Sequence, residues 1–164
     1  MGTREPAGVA AWRAMLLAYN AAMRAIETEL DRAGGIPLTW YDVLLELNAA
    51  PEGRLRMQEV ADRVVLSRTR VSRLVDEMVV AGLVRKTRDD TDRRVVWATM
   101  TEPGGRAFRK TAPLYLRCIE QFFSRHLSGD EKVAVARALT KVNDANSGGV
   151  GVPEVPKAAA RTAR

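Results

Sequence analysis

Residues 57–100 read MQEVADRVVLSRTRVSRLVDEMVVAGLVRKTRDDTDRRVVWATM, and this stretch decides the fold. Apolar residues recur at helical spacing as far as Met78 and then alternate with polar ones, so the period changes from helix to strand. The stretch predicts a short helix over 58–64, a tight connection, a second helix, and a hairpin with strands at 83–88 and 94–100. A helix with arginines in its first turn, beside a basic hairpin, suits the major groove of DNA and the neighbouring backbone.

The second helix, the recognition helix, carries the side chains that we expect to meet DNA. Ser67 is a good N-cap for it, and Gly82 stands where a C′ glycine would end it. Its predicted buried face consists of Val71, Leu74, Val75 and Met78. The polar side then holds the predicted DNA-binding residues Ser67, Arg68, Thr69, Arg70, Ser72 and Arg73. The alternative is a solvated surface helix with scattered arginines, and spacing does not separate base contacts from phosphate contacts.

The tip of the hairpin is an acidic turn, residues 89–92, followed by Arg93 and Arg94. Aspartates in such a turn accept hydrogen bonds from backbone N–H groups and from guanidinium groups, which would hold an arginine extended. An extended arginine fits a narrow minor groove. We therefore add Asp92, Arg93 and Arg94 to the predicted DNA-binding residues. The alternative is a polar tip with internal salt bridges.

Long helices flank this segment on both sides. Apolar residues over 12–30 predict a first helix that ends at the GGIP sequence of 34–37. Residues 101–126 predict another, which Pro113 should bend or divide, and a last helix begins at Gly129. The apolar stripes at the two ends have no partner within so small a domain, so we expect them to pack against a second copy of the chain.

Two shorter elements join the first helix to the DNA-binding segment. Thr39, with Asp42 three residues later, resembles a capping box that opens a second helix, and the PEG sequence at 51–53 closes it. Residues 54–57 are short and would suit a third, edge strand beside the hairpin.

The predicted fold is mainly α with a small β-hairpin wing, an α+β fold in which a winged helix-turn-helix lies between N- and C-terminal dimerisation helices. The predicted divisions are an N-terminal dimerisation helix (1–37), a DNA-binding winged helix-turn-helix domain (38–100), C-terminal dimerisation helices (101–146) and a disordered basic tail (147–164).

Composition limits the partners and excludes several classes of site. The net charge of +6 favours a polyanionic partner but does not separate nucleic acid from an anionic membrane. No apolar run reaches the length of a membrane span and the N-terminus lacks a secretory pattern, so we expect a cytoplasmic protein. With one cysteine (Cys118) and one histidine (His126), we expect no disulfide, no metal site and no cofactor. Cys118 lies on an apolar helix face and is interpreted as a buried, inert thiol.

The chain resembles the MarR family of bacterial transcription regulators from about Leu38 to Arg106. The flanking helices agree with that family in length and order, up to about Asn146. The matching segments are VVLSRTRVSRLVDEM (64–78), AGLVRK (81–86), DTDRR (90–94) and MTEPGGRAF (100–108). Asp92 and Arg94 coincide with the Asp-x-Arg of the family's wing, where the arginine typically enters the minor groove. Thr101 and Gly104 coincide with its structural Thr-x-x-Gly.

The resemblance implies a homodimer that binds a pseudo-palindromic operator, represses transcription, and is released by a small ligand. In this family the helices that flank the DNA-binding lobe line a cleft. The corresponding candidate ligand-binding residues are Trp12, Tyr19, Trp40, Tyr41 and Tyr115, and aromatic walls with a few hydroxyls would suit an aromatic compound. The alternative is that these side chains belong to the core and the dimer interface.

Two other functions compete with a ligand-released repressor. A constitutive or architectural DNA-binding protein without an effector would have the same sequence features. An enzyme is less well supported, because the chain offers no catalytic constellation and no nucleotide-binding loop.

Overall fold

The computed structural model describes residues 5–64 and 68–146. Six α-helices lie within these residues: α1 (Ala7–Arg32), α2 (Leu38–Ala49), α3 (Met57–Arg63), α4 (Arg68–Val80), α5 (Glu102–Phe122) and α6 (Gly129–Asn146). The described strands are β1 (Arg54–Arg56), β2 (Val84–Arg88) and β3 (Val96–Met100). The mainly α fold with a small wing is therefore confirmed. The predicted N-cap Ser67 and the predicted disordered tail 147–164 lie outside the described residues.

The three strands form one antiparallel sheet in the order β1-β3-β2. Leu55 lies opposite Ala98, and both are buried against the core. The edge strand predicted at 54–57 is confirmed as β1, except that Met57 already belongs to α3. Strand β3 begins at Val96, two residues later than predicted, because the Val95 N–H donates to the Asp92 carbonyl and keeps that residue in the turn.

The core lies where α2, α3 and α4 meet the sheet. It is built by aliphatic residues that the helical periodicity places inward, and burying them supplies most of the favourable free energy of folding. Its fully buried aliphatic side chains include Val43, Leu44, Leu47, Val60, Val71, Val75 and Met78. Leu74, predicted to be buried, is only half-buried, because it lies at the edge of the face that α4 turns to the core.

The capping box expected at Thr39 and Asp42 is wrong. Helix α2 begins at Leu38, so Thr39 lies inside its first turn, and Pro37 occupies the N-cap position. The N–H groups of Trp40 and Tyr41 donate to the Pro37 carbonyl oxygen at 3.0 Å. Because the helix starts before Thr39, the Asp42 N–H lies inside it and needs no side-chain cap.

The long flanking helices differ in extent from their predicted ranges. Helix α1 starts at Ala7, more than a turn before the apolar stripe, in an alanine-rich segment with high helix propensity. Pro113 does not divide α5, which continues to Phe122 and is followed by a 3-10 turn over Ser124–His126. The predicted start of α6 at Gly129 is confirmed.

Candidate nucleic-acid interface

Helix α4 separates a buried apolar face from an exposed polar one. Val71, Val75 and Met78 have no exposed surface. On the other side Thr69, Arg70 and Arg73 are exposed and Ser72 is half-buried. Arg68 is the first residue of α4. Burial of one face thus leaves two arginines and a threonine at the start of the helix open to a partner.

The end of α4 is fixed by the glycine that the sequence indicated. Gly82 has φ +73°, a backbone conformation that favours glycine. Its N–H donates to the Val79 carbonyl at 3.0 Å, and the Leu83 N–H donates to the Met78 carbonyl at 2.9 Å. This pair of bonds is a Schellman ending. It turns the chain directly from the recognition helix into strand β2.

The wing is defined here as β2, β3 and the turn between them, residues 84–100. An ion pair joins it to the recognition helix, because Lys86 Nζ lies 2.8 Å from Asp76 Oδ1. An open cleft of about 420 Å³ lies between the wing and the segment formed by β1 and α3, with Ser72 of α4 at its border. Polar and cationic side chains in its lining include Arg56, Gln58, Ser72, Lys86 and Arg94. Ser72 and Arg94, one from each of the two elements predicted to contact DNA, both line this cleft.

The carboxylate of Asp89 organises the tip of the wing. Its Oδ1 accepts hydrogen bonds from the Thr91 N–H at 3.0 Å, the Thr91 hydroxyl at 2.6 Å and the Asp92 N–H at 3.1 Å. Its Oδ2 accepts from Trp97 Nε1 at 2.8 Å. Bonds from the Thr91 hydroxyl, the Trp97 indole and the backbone hold the pKa of Asp89 well below its usual range. The tip is therefore built around a carboxylate whose ionised form these hydrogen bonds favour.

The two arginines of the tip are presented by the backbone. Asp92 Oδ1 accepts the Arg94 N–H at 3.0 Å, and the side chains of Arg93 and Arg94 are exposed. Within the described residues neither guanidinium forms an ion pair with a carboxylate. The aspartates thus shape the turn through N–H groups, and both cations stay available to a partner.

Sequence reasoning missed the contribution of Trp97 to this surface. The indole lies in the central strand β3, opposite Arg56 on β1 and Thr87 on β2. Arg54 and Arg56 approach its ring, with Cζ at 4.7 Å and 5.4 Å from the ring centroid. The Arg-x-Arg spacing in a candidate edge strand was the available signal, but the pairing register was needed to bring it to Trp97.

The candidate ligand residues are only partly brought together. Tyr41 is buried and its ring stacks on Phe108, with centroids 5.1 Å apart. The Tyr115 ring meets Tyr41 edge-on, also at 5.1 Å. Trp12 and Tyr19 are 58% and 62% exposed on α1, while Trp40 is half-buried. Sequence reasoning also missed Phe108, which completes the aromatic cluster.

Burial perturbs the titratable groups beside this cluster. It raises the pKa of Tyr41 to about 12, with smaller contributions from Tyr115 and Asp42. It also raises the pKa of Asp42 to about 6, assisted by the nearby Glu46. Glu46 lies 3.8 Å from Arg63, which links α2 to α3. A carboxyl group with a raised pKa therefore influences both tyrosines of the aromatic cluster.

Residues 5–64 and 68–146 were also compared with the requirements of metal sites, membrane spans and reactive cysteines. No group of three or more His, Cys, Asp or Glu side chains there could hold a metal ion. In the same ranges no helix is both long and apolar enough to cross a membrane. Cys118 is a buried free thiol whose pKa is raised, mainly by burial. A raised pKa disfavours the reactive thiolate.

Comparison with known proteins shows similarity to one protein family. Residues 34–95 match the model of the MarR family. Over 111 residues the chain is 30% identical to the transcriptional repressor MprA of Escherichia coli K12, an alignment that covers 68% of this chain and 62% of that protein. The chain thus spans less than two thirds of this curated relative. MprA and the solved relatives are transcriptional regulators and not enzymes.

Two solved structures from Streptomyces coelicolor share the fold over nearly the whole chain. AbsC, a MarR family transcriptional regulator, superposes with a TM-score of 0.80 at 26% identity, covering 90% of this chain and 99% of AbsC. Sco3205, a regulator of the same family solved in complex with DNA, gives 0.79 at 25% identity, covering 88% and 91%.

Proposed function

The chain belongs to the MarR family, and on that premise we propose that it is a cytoplasmic, homodimeric DNA-binding repressor of transcription. One observation carries the proposal. The exposed arginines of α4 and of the wing tip lie on two elements that share a core and an ion pair, so both can face the same DNA. The DNA complex of Sco3205 shows that a relative with this fold binds DNA.

Each of the two elements has its own groove in this proposal. The start of α4 enters the major groove, where Arg70 and Arg73 meet guanine edges or phosphates. The wing tip reaches the adjacent minor groove through Arg94. The proposed DNA-binding residues are Ser67, Arg68, Thr69, Arg70, Ser72, Arg73, Asp92, Arg93 and Arg94.

A homodimer is proposed because the outer helices expose apolar surface. In α1, Trp12 and Leu17 are 58% and 64% exposed, and in α6 Val133 is 68% exposed. A second copy would cover these side chains. It would also place two recognition helices about 34 Å apart, one turn of the DNA helix, which suits a pseudo-palindromic operator.

Release by a small aromatic ligand is the proposed regulation. The ligand would lie near Tyr41 and Tyr115 and change the spacing of the two recognition helices, for which it needs different affinities for the two states. Trp12, Tyr19 and Trp40 complete the proposed lining. The alternative is a constitutive DNA-binding protein without an effector, and the stacking of Tyr41 on Phe108 favours it because those two rings already cover each other.

The proposal is tested with the purified full chain and the DNA upstream of its gene. Light scattering should give the mass of a dimer, and footprinting should show a protected inverted repeat. Aromatic acids and phenols added to the complex should raise its Kd. Protection without symmetry would contradict the dimeric arrangement, and a Kd unaffected by every such compound would select the constitutive alternative. If the protein bound the upstream DNA no more tightly than unrelated double-stranded DNA, the proposed function itself would be refuted.

A further inference from the structure

A chain of hydrogen bonds connects the start of strand β3 to the tip of the wing. The Trp97 indole N–H donates to Asp89, and Asp89 accepts the Asp92 N–H. Asp92 in turn accepts the Arg94 N–H. These contacts run from a strand of the sheet to the exposed arginine of the tip.

The two oxygens of Asp89 have separate tasks. Oδ1 accepts three hydrogen bonds from Thr91 and Asp92, while Oδ2 accepts the bond from Trp97. Since a carboxylate is planar, the bond at Oδ2 fixes the orientation of the group and keeps Oδ1 aimed at the turn. Without it the Asp89 side chain could rotate, and the turn would lose its common acceptor.

The indole ring is also held by side chains of β1. Arg54 and Arg56 of β1 pack on the ring of Trp97, and β1 is hydrogen-bonded to β3 along this segment. Arg56 also lines the cleft beside Arg94. Two cations on its face and a carboxylate at its N–H leave the ring little freedom to reorient.

We propose that Trp97 is a positioning residue for DNA binding, which orders the tip through Asp89 and so presents Arg94 to the minor groove. This inference rests on the proposed function. A tip that is ordered before binding loses less conformational entropy when it meets DNA. The hydrogen bond from Trp97 to Asp89, called the brace below, would therefore raise affinity without touching DNA.

Two substitutions break the same hydrogen bond from its two ends. Trp97→Phe keeps an aromatic ring for Arg54 and Arg56 but removes the N–H. Asp89→Asn keeps one oxygen for the turn but places an amide where the Trp97 N–H needs an acceptor. Each should raise the Kd for the operator roughly threefold to thirtyfold. Thr99→Val, on the same strand, is the control and should bind like the parent.

A double-mutant cycle separates positioning from a general loss of structure. If Trp97 acts through Arg94, Trp97→Phe should change the Kd by less than roughly twofold in the Arg94→Ala background. An undiminished effect there would overturn the inference. So would parental affinity in both Trp97→Phe and Asp89→Asn. If circular dichroism shows that Trp97→Phe is not folded, the cycle is run with Asp89→Asn in its place.

A measurement without DNA tests the brace directly. The chain has three tryptophans, so the ¹⁵N-labelled full chain gives three indole signals, and Trp97→Phe identifies the one that belongs to Trp97. In Asp89→Asn this signal should shift and its proton should exchange faster with water. An unchanged signal would overturn the inference about the brace. If the parent still bound the operator, the proposed function would stand. A parent that binds no operator would refute the function, and the inference with it.

Discussion

Lys86 of the wing and Asp76 of the recognition helix form an ion pair, with Nζ 2.8 Å from Oδ1. The Asp76 side chain is 62% exposed, so water screens the pair. The relative position of the two elements must depend mainly on the buried contacts beneath it, in which Met78 and Val84 take part. The ion pair adds a restraint to a junction that the core already sets.

A double-mutant cycle of Asp76→Asn and Lys86→Met should therefore give a small coupling energy. We expect about 0.2–1 kcal/mol in urea unfolding, as measured for exposed pairs in other proteins. The coupling should shrink in high salt. A coupling of several kcal/mol would show that the ion pair, rather than the core, holds the wing to α4.

Removing Arg70 or Arg94 should weaken operator binding and leave the fold intact. Both side chains are exposed, and in the described residues neither is ion-paired, so Arg70→Ala and Arg94→Ala delete no intramolecular salt bridge. We expect a loss of about 1–3 kcal/mol of binding free energy for each where it contacts a base edge. Arg109→Ala, at an exposed position of α5, controls for the loss of one charge.

Fluorescence anisotropy with labelled operator measures these losses, and thermal melting checks the fold. If Arg70→Ala and Arg94→Ala both bind like Arg109→Ala, the assignment of α4 and the wing to the two grooves is wrong.

Operator affinity should fall steeply with salt, because each phosphate neutralised by a cation releases counterions. A plot of log K against log salt concentration should be linear. In Arg94→Ala the magnitude of its slope should decrease by about 1 if this arginine lies against phosphates of the minor groove. An affinity independent of salt would contradict a DNA interface built on arginines.

Gly104 and Gly105 are neighbours in α5 that should respond in opposite ways to alanine. A Cβ on Gly104 would lie 2.1 Å from the Leu83 carbonyl oxygen, so the helix and the chain before β2 would have to separate. A Cβ on Gly105 would meet only the end of the Arg109 side chain, at 3.2 Å for its nearest atom. The first contact is with backbone and the second with a group that can move away.

We expect Gly104→Ala to lower the free energy of unfolding by about 3 kcal/mol. Gly105→Ala should be neutral or raise it by up to about 1 kcal/mol through helix propensity. Urea unfolding of both variants checks this. Equal effects would mean that the close approach of α5 to Leu83 does not constrain residue 104.

The same junction shows what local sequence could predict. Thr101 caps α5 by accepting the Gly104 N–H at 3.1 Å, and its hydroxyl donates to the Gly82 carbonyl at 2.7 Å. The cap, the C′ glycine and the buried face of α4 follow from residues close together in sequence. Sequence patterns that involve only such neighbouring residues predicted the helices and strands and their order.

Features that depend on contacts between residues far apart in sequence, or on the exact residue at which a helix begins, were not predictable. The brace at Trp97 requires the register of β1 against β3, which no local pattern specifies. The expected cap at Thr39 failed because α2 begins one residue earlier, at Leu38, which places Thr39 inside the first turn. The stacking of Tyr41 on Phe108 joins residues from α2 and α5 and needed the tertiary fold.

Asp42 should make the protein more stable at mildly acidic pH. Burial, assisted by Glu46, raises its pKa from 3.8 to about 6. Between these two values the folded state binds more protons than the unfolded state, so the free energy of unfolding decreases as pH rises through this window. The raised pKa of Glu46, also caused by burial and opposed by Arg63, acts in the same direction.

Asp42→Asn should remove the cost of a half-buried carboxylate. At pH 7.5 we expect the variant to be more stable than the parent by on the order of 1–2 kcal/mol, and its stability should change less between pH 4 and pH 6. Urea unfolding across this range measures both effects, and Asp31→Asn, at an exposed position, is the control for the loss of one carboxylate. A variant less stable than the parent at pH 7.5, with the same dependence on pH, would mean that the Asp42 carboxylate makes a stabilising contact in its ionised form.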